Sequence, residues 1–206
     1  MSEAHPIVFV VDDDLSVLKS LRRLLDICGF RVGTFSSAQE FLGNYQYNVP
    51  SCLVLDICLP GLNGLELQRT LDEQGHPLPI IFITGHGDIP MSVQAMKAGA
   101  VDFLPKPFTD QALLDAIKRA LDKSRSDNAV RSELADIRKR LATLTPRETE
   151  VLKHVVAGKL NKQIAADLGI AEKTVKVHRG RVMQKLHAGS VAELVRIAEK
   201  ARKIST

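Results

Sequence analysis

Between residue 7 and about residue 120 the chain repeats one pattern five times. A short, mostly apolar run is followed by a polar turn and then by a stretch whose apolar residues recur at helical spacing. The runs are residues 7–11, 31–35, 52–55, 79–83 and 101–104, each too short to be a buried helix. The stretches between and after them are 15–28, 37 onward, 63–71, 90–98 and 109 onward; the first carries Leu15, Leu18, Leu21 and Leu25 and is closed by Gly29. Ser37-Ala38-Gln39-Glu40 has capping-box form, which predicts a helix start. Strands that are apolar throughout, rather than alternating, are buried on both faces, and strands joined through helices run parallel. Few architectures satisfy both conditions.

This order predicts an α/β domain: a five-stranded parallel, doubly wound (flavodoxin-like) sheet with its functional groups at the carboxyl ends of the strands. The remainder of the 206 residues reads as all-α. Val130, Leu134, Ile137, Leu141 and Leu144 recur at alternating four- and three-residue spacing. That spacing suits either a short coiled-coil seam or an amphipathic helix lying on its own domain. Thr145-Pro146-Arg147-Glu148 is a capping box with Pro at the first helical position, so a new domain starts near residue 143. The expected organisation is a first domain at 1–122, a helical linker at 123–142 and a second domain at 143–206.

The net charge of +4 conceals a division between these parts. Residues 1–122 hold 9 Lys+Arg against 15 Asp+Glu, a net −6, whereas residues 123–206 hold 19 against 9, a net +10. Such asymmetry points to a nucleic-acid or membrane partner for the basic half. No apolar run approaches the ~18 residues that span a bilayer, and the first residues lack a basic-then-apolar leader. Cys28, Cys52 and Cys58 cannot all pair and form no C-x-x-C. A cytoplasmic protein with reduced thiols and no membrane partner is expected.

Polar residues fall at the strand ends. Asp12 and Asp13 follow the first strand, Asp56 ends the third, Thr84 ends the fourth and Lys106 follows the fifth. In a parallel sheet all of these lie on the carboxyl edge. Three carboxylates gathered there repel one another, and a hard divalent cation, Mg²⁺ or Mn²⁺, would relieve the repulsion through oxygen ligands. A carboxylate such as Asp56 can accept a phosphoryl group as an acyl phosphate, while Lys106 neutralises its charge and the Thr84 hydroxyl bonds one of its oxygens. Asp14 suits a helix cap.

The basic half contains a helix over 161–168, a turn at Gly169-Ile170 and a longer helix over 172–186, in helix-turn-helix form. At about 100° per residue, Val175, Val182 and Leu186 share one stripe of the second helix. Lys173, Val177, Gly180 and Gln184 lie opposite, flanked by Lys176 and Arg181. A basic face with one small apolar side chain suits the DNA major groove: Lys reaches guanine acceptors and Val177 a thymine methyl. Thr174 belongs to the same surface. Ala171 is a poor helix cap, and Gly180 costs helix stability, by about 1 kcal/mol each. Ser190-Val191-Ala192-Glu193 opens a last helix whose Leu194, Val195, Ile197 and Ala198 suit a dimer contact or an internal core equally.

Val10-Val11-Asp12-Asp13, Leu53-Val54-Leu55-Asp56, Ile83-Thr84 and Phe103-Leu104-Pro105-Lys106-Pro107-Phe108 resemble the receiver domain of bacterial response regulators over residues 5–122. Thr174-Val175-Lys176-Val177-His178 and Lys185-Leu186, behind Leu144-Thr145-Pro146-Arg147-Glu148, resemble the LuxR-type DNA-binding domain over 143–203. Together they are similar to FixJ-type response regulators. The resemblance implies Asp56 as phosphoacceptor and Asp12, Asp13, Asp56 and the Cys58 backbone carbonyl as metal ligands. It implies Thr84 and Phe103 as a switch pair, Lys106 as phosphate partner and a cis Lys106-Pro107 bond. His86 and the Cys58 side chain sit where they can tune phosphate lifetime.

The implied function is a phosphorylation-dependent transcriptional regulator of a two-component system. It would take phosphate from a sensor histidine kinase, dimerise through the fourth helix and fifth strand, and bind DNA through Lys173, Thr174, Lys176, Val177 and Arg181. RNA polymerase is a further partner open to such a regulator. No dedicated enzymatic activity is expected beyond taking phosphate and losing it. Two alternatives stand beside this reading. One is a DNA binder whose receiver only dimerises, without regard to phosphate. The other is a phosphatase of the haloacid-dehalogenase kind, suggested by Asp12-x-Asp14-x-Ser16 but opposed by Ser at 16 and by the short domain.

Overall fold

A computed structural model describes residues 5–45, 49–75, 78–85 and 89–202. They form two compact units, Met1–Asn128 and Ala129–Thr206. In the first unit the elements are β1 (Ile7–Val11), α1 (Leu15–Ile27), β2 (Arg31–Phe35), α2 (Ala38–Asn44), β3 (Ser51–Asp56), α3 (Gly64–Glu73), β4 (Ile80–Thr84), α4 (Ile89–Lys97) and β5 (Asp102–Pro105). The five strands make one sheet in the order β2-β1-β3-β4-β5, and every pairing is parallel. This is the doubly wound order expected from the sequence.

Alternation along each strand divides the core into two layers. Phe9, Val11, Leu53, Leu55, Ile80 and Phe82 pack with Ala38 and Phe41 of α2, Leu67 and Leu71 of α3, and Ala95 of α4. Val8, Val10, Cys52, Val54, Ile81 and Ile83 pack with Leu18, Leu21 and Leu25 of α1 and with Leu113, Ala116, Ile117 and Ala120. The central strands β3 and β4 are buried along their whole length, which is why they read as uninterrupted apolar runs.

Local chemistry sets most helix starts. Asp14 caps α1, its carboxylate accepting from Ser16 N at 2.7 Å and Ser16 Oγ at 2.6 Å. Asn63 and Glu66 form a reciprocal capping box on α3. The box expected at Ser37 forms only by half. Ser37 Oγ accepts from Glu40 N, but the Glu40 carboxylate turns to the backbone N–H and hydroxyl of Ser36, at 2.7 and 2.8 Å. Two donors on Ser36 outbid the single N–H of Ser37.

The fifth helix, α5 (Asp110–Ala142), runs for 33 residues without interruption, because no Gly or Pro falls within it. The boundary between the two units falls inside it. Ser124, on its first part, is buried and its hydroxyl accepts from Ser51 N at 2.9 Å, at the start of β3.

In the second unit follow α6 (Pro146–Val156), α7 (Asn161–Leu168), α8 (Glu172–Lys185) and α9 (Val191–Arg202). Their core is Val151, Leu152, Val155, Ile164, Val175, Val182, Leu186 and Leu194. Leu141 and Leu144 pack against it and Ile137 is buried, so this end of the heptad seam serves the chain's own interior, while Val130 stays exposed. On α9, Leu194 is buried and Ile197 packs on the same core, so these two resolve as internal packing. The turn between α7 and α8 pivots on Gly169, whose φ of 63° is left-handed and favours a residue without Cβ.

The capping box on α6 does more than start the helix. Glu148 is buried, and its Oε2 accepts from Thr145 N at 2.9 Å and from Lys185 Nζ at 2.6 Å, joining α6 to the end of α8. The Lys185 ammonium, then the Thr145 N–H, hold the Glu148 carboxyl down to about 2 from its ordinary 4.5. A carboxylate whose folded value is depressed contributes stability that is full above the unfolded value and is lost as pH falls from there through the folded one. Glu148→Gln is therefore expected to lower the Tm of the second unit by several degrees at pH 7. The difference from wild type should shrink as pH drops below about 4.5 toward 2, measured by thermal unfolding across that range.

Candidate functional site

The carboxyl edge of the sheet collects residues from four strands. The register places Val11 beside Leu55 and Asp56 beside Ile83, so the ends of β1, β3 and β4 are level. β5 continues the alignment: Thr84 pairs with Pro105, and Lys106 N donates to Thr84 O at 2.7 Å. Asp12 is 1% exposed, Asp56 6% exposed and Thr84 fully buried, while Asp13 is exposed. Carboxylate oxygens of Asp12, Asp13 and Asp56 lie within 4.8 Å of one another.

Lys106 bridges two of them. Its Nζ donates to Asp12 Oδ2 and to Asp56 Oδ2, both at 2.7 Å. The remaining oxygens face backbone: Asp12 Oδ1 accepts from Asp14 N and Asp56 Oδ1 from Cys58 N, each at 3.0 Å. The Lys106-Pro107 peptide is cis. Burial pushes the Asp12 carboxyl above its ordinary value, and the bonds from Lys106 and Asp14 N only partly offset this. Burial alone would lower Lys106, but its hydrogen bonds to Asp12 and Asp56 outweigh it and hold the ammonium above its ordinary value. A charged lysine thus sits between carboxylates that still lack enough positive charge. Three carboxylates against one ammonium, all with oxygen donors, fit a hard divalent cation.

Two features of this edge, and one at the opposite end of β5, have no local signature in the sequence. Cys58 Sγ lies 3.8 Å from Thr84 Oγ1. Asp102 accepts from Phe103 N at 2.8 Å and is ion-paired with Arg119, so the backbone beside Phe103 is fixed from α5. Gly64, the first residue of α3, has no room for a side chain, since a Cβ would stand 2.6 Å from Asp56 O. Phe103 is partly buried and packs on the layer that holds Phe82, its β-sheet partner. His86 lies outside the described residues.

The second candidate surface is α8. Val175 and Val182 are buried, and Lys173, Thr174, Lys176, Val177 and Arg181 are exposed, as the helical spacing predicts. Val177 is 47% exposed, an apolar side chain in a basic setting. Ala171 supplies no side-chain cap. Tertiary bonds hold the motif instead: Arg179 Nη1 donates to Asn161 Oδ1 at 2.9 Å, and Arg147 Nη2 to Leu168 O at 2.7 Å, one at each end of α7.

Residues 8–118 match the family described as the response regulator receiver domain, and residues 142–198 match the bacterial regulatory proteins of the luxR family. The chain is 52% identical over 193 residues to nodulation protein W of Bradyrhizobium diazoefficiens, covering 94% of this chain and 85% of that protein. It is 47% identical over 191 residues to the transcriptional regulatory protein FixJ of Rhizobium meliloti, covering 93% and 94%. Among solved structures, the response regulator StyR superposes with a TM-score of 0.85 at 51% identity, covering 96% of this chain and all of that one. With a parallel sheet gathering its acidic site at one edge and a helix-turn-helix later in the sequence, the chain belongs to the response regulators that join a receiver domain to a LuxR-type DNA-binding domain.

Proposed function

We propose that a sensor histidine kinase phosphorylates Asp56 and that the phosphorylated protein dimerises and binds specific DNA to regulate transcription. One observation carries the reading: Lys106 Nζ holds Asp12 and Asp56 together at 2.7 Å each, on the edge where the strands end. In the transfer, Asp56 Oδ2 attacks phosphorus, the P–N bond of the donor phosphohistidine breaks, and the imidazole recovers a proton from solvent. Lys106 exchanges its bond to Asp56 for one to a phosphoryl oxygen. Asp12, Asp13, Asp56 and the Cys58 carbonyl would hold Mg²⁺ or Mn²⁺. When bound, the cation supplies charge to neutralise the transferring phosphoryl group. Thr84 Oγ1 then bonds a phosphoryl oxygen, and Phe103 repacks against the place it leaves. Loss of the phosphoryl group to water resets the cycle.

The face of α4 and β5 is the proposed dimer surface. Val93 and Met96 on α4 are 44% and 46% exposed, two large apolar side chains one turn apart. Two chains joined there bring two α8 helices to half-sites about one helical turn of DNA apart, ~10 bp. Lys173, Thr174, Lys176, Val177 and Arg181 are the proposed DNA contacts, with residues 123–142 as the linker between the domains 1–122 and 143–206. We place this activity in the cytoplasm, where the bound regulator can also meet RNA polymerase.

Asp56→Asn is expected to abolish labelling by acetyl phosphate and the gain in DNA affinity that labelling brings; EDTA should do the same to wild type. Full labelling of the variant would refute the assignment, and phosphate-independent DNA binding by wild type would favour the pure dimerisation module. Arg181→Ala should weaken DNA binding and lower the slope of log K against log[salt] by about 0.9 if Arg181 neutralises one phosphate. Val93→Glu should leave phosphorylation intact and move the phosphorylated protein toward monomer in sedimentation.

A further inference from the structure

Gly180 stands in the middle of α8, where glycine is costly and where no packing contact among the described residues asks for it. Its backbone is ordinary right-handed helix, outside the left-handed region that favours glycine. Apart from its chain neighbours and the adjacent backbone of its own helix, no atom of the described residues lies within 4 Å of the place a Cβ would occupy. Packing therefore does not exclude a side chain, and helix propensity favours one. At about 100° per residue, Gly180 lies about 140–160° from the buried Val175 and Val182. It is thus on the outward face, about 40° from its centre, one turn from exposed Val177 and two turns from Lys173.

We infer that Gly180 is a clearance residue for DNA: its missing side chain lets the backbone of α8 lie against base-pair edges on the floor of the major groove. The inference rests on α8 being the DNA-reading helix. An α-helix with its side chains is about 10–12 Å across, and the major groove is about 12 Å wide. There is little slack, so a methyl projecting ~1.5 Å from this face of the helix acts as a spacer. It lifts the neighbours Lys173, Val177 and Gln184 together away from the bases. Gly180 then sets the depth of insertion, and with it how many base edges those three side chains reach. The phosphate contacts, made from the flanks of the helix, depend on depth far less.

The test uses full-length wild type and Gly180→Ala, both treated with acetyl phosphate, on a duplex selected by wild type from a random pool. The variant should melt roughly 2–8 °C higher, because the helix gains and nothing clashes. Its affinity for the selected duplex should fall roughly tenfold or more, while affinity for random-sequence DNA and the salt slope stay unchanged. Gly180→Leu should lose more again on the selected duplex. A variant that is more stable and binds the selected duplex as well as wild type overturns the inference and leaves DNA binding by α8 standing. A variant that melts lower shows an internal need for glycine, which also overturns it. Failure of wild type to select any DNA removes the DNA-binding reading itself, a result separable from the other two.

Discussion

Three carboxylates on one sheet edge cannot be left alone. At separations within 4.8 Å, two unit charges repel by on the order of 3–4 kcal/mol at an effective dielectric of about 20. The fold creates this problem, since parallel strands bring every C-terminal end to the same side. It also supplies part of the answer by bringing Lys106 from beyond β5 to bridge Asp12 and Asp56. One ammonium does not balance three carboxylates, and burial, which pushes the Asp12 carboxyl above its ordinary value, adds to the cost of keeping them charged. This imbalance supports the proposal that the site takes a divalent cation and a phosphoryl group whose oxygens would take over Lys106. Core packing on both faces of the sheet holds the strand ends from which these groups project.

The second unit spends its stability differently. Its helix α8 has at its N-cap Ala171, whose side chain makes no capping bond, and carries Gly180 near its middle. Both are local losses. Tertiary bonds compensate: Val175, Val182 and Leu186 in the core, Arg179 on Asn161, and the buried Glu148–Lys185 pair joining α6 to α8. The outward surface of α8 is thereby freed from any duty to stabilise its own helix, so its residue types can be set by the partner.

Much of this was legible before any coordinates. The five runs located the five strands of the sheet, with ends displaced by at most a residue or so: the central strands because burial on both faces leaves an apolar record, the partly buried edge strands β2 and β5 through their place in the alternation with helices. Asp12, Asp56, Thr84 and Lys106 were legible as a group because each directly ends or follows a strand, and a parallel sheet has only one carboxyl edge. The outward face of α8 followed from the 3.6-residue period. Less legible was the fate of the heptad seam, where one spacing serves two outcomes; the burial of Ile137 and the packing of Leu141 and Leu144 depend on which surface lies opposite.

By itself, then, the sequence determined the βα order, the helix starts and the residue types at the strand ends, since each is decided by neighbours a few positions away. Only the tertiary structure decided that Glu40 turns to Ser36, that Ser124 reaches Ser51, that Cys58 faces Thr84 and that Glu148 pairs with Lys185. It also decided that Gly64 abuts the carbonyl of Asp56 whereas Gly180 faces open space. Most of these depend on atoms far apart in the chain. Even the Glu40 bond, four residues long, is a competition between two acceptable partners that local spacing does not resolve.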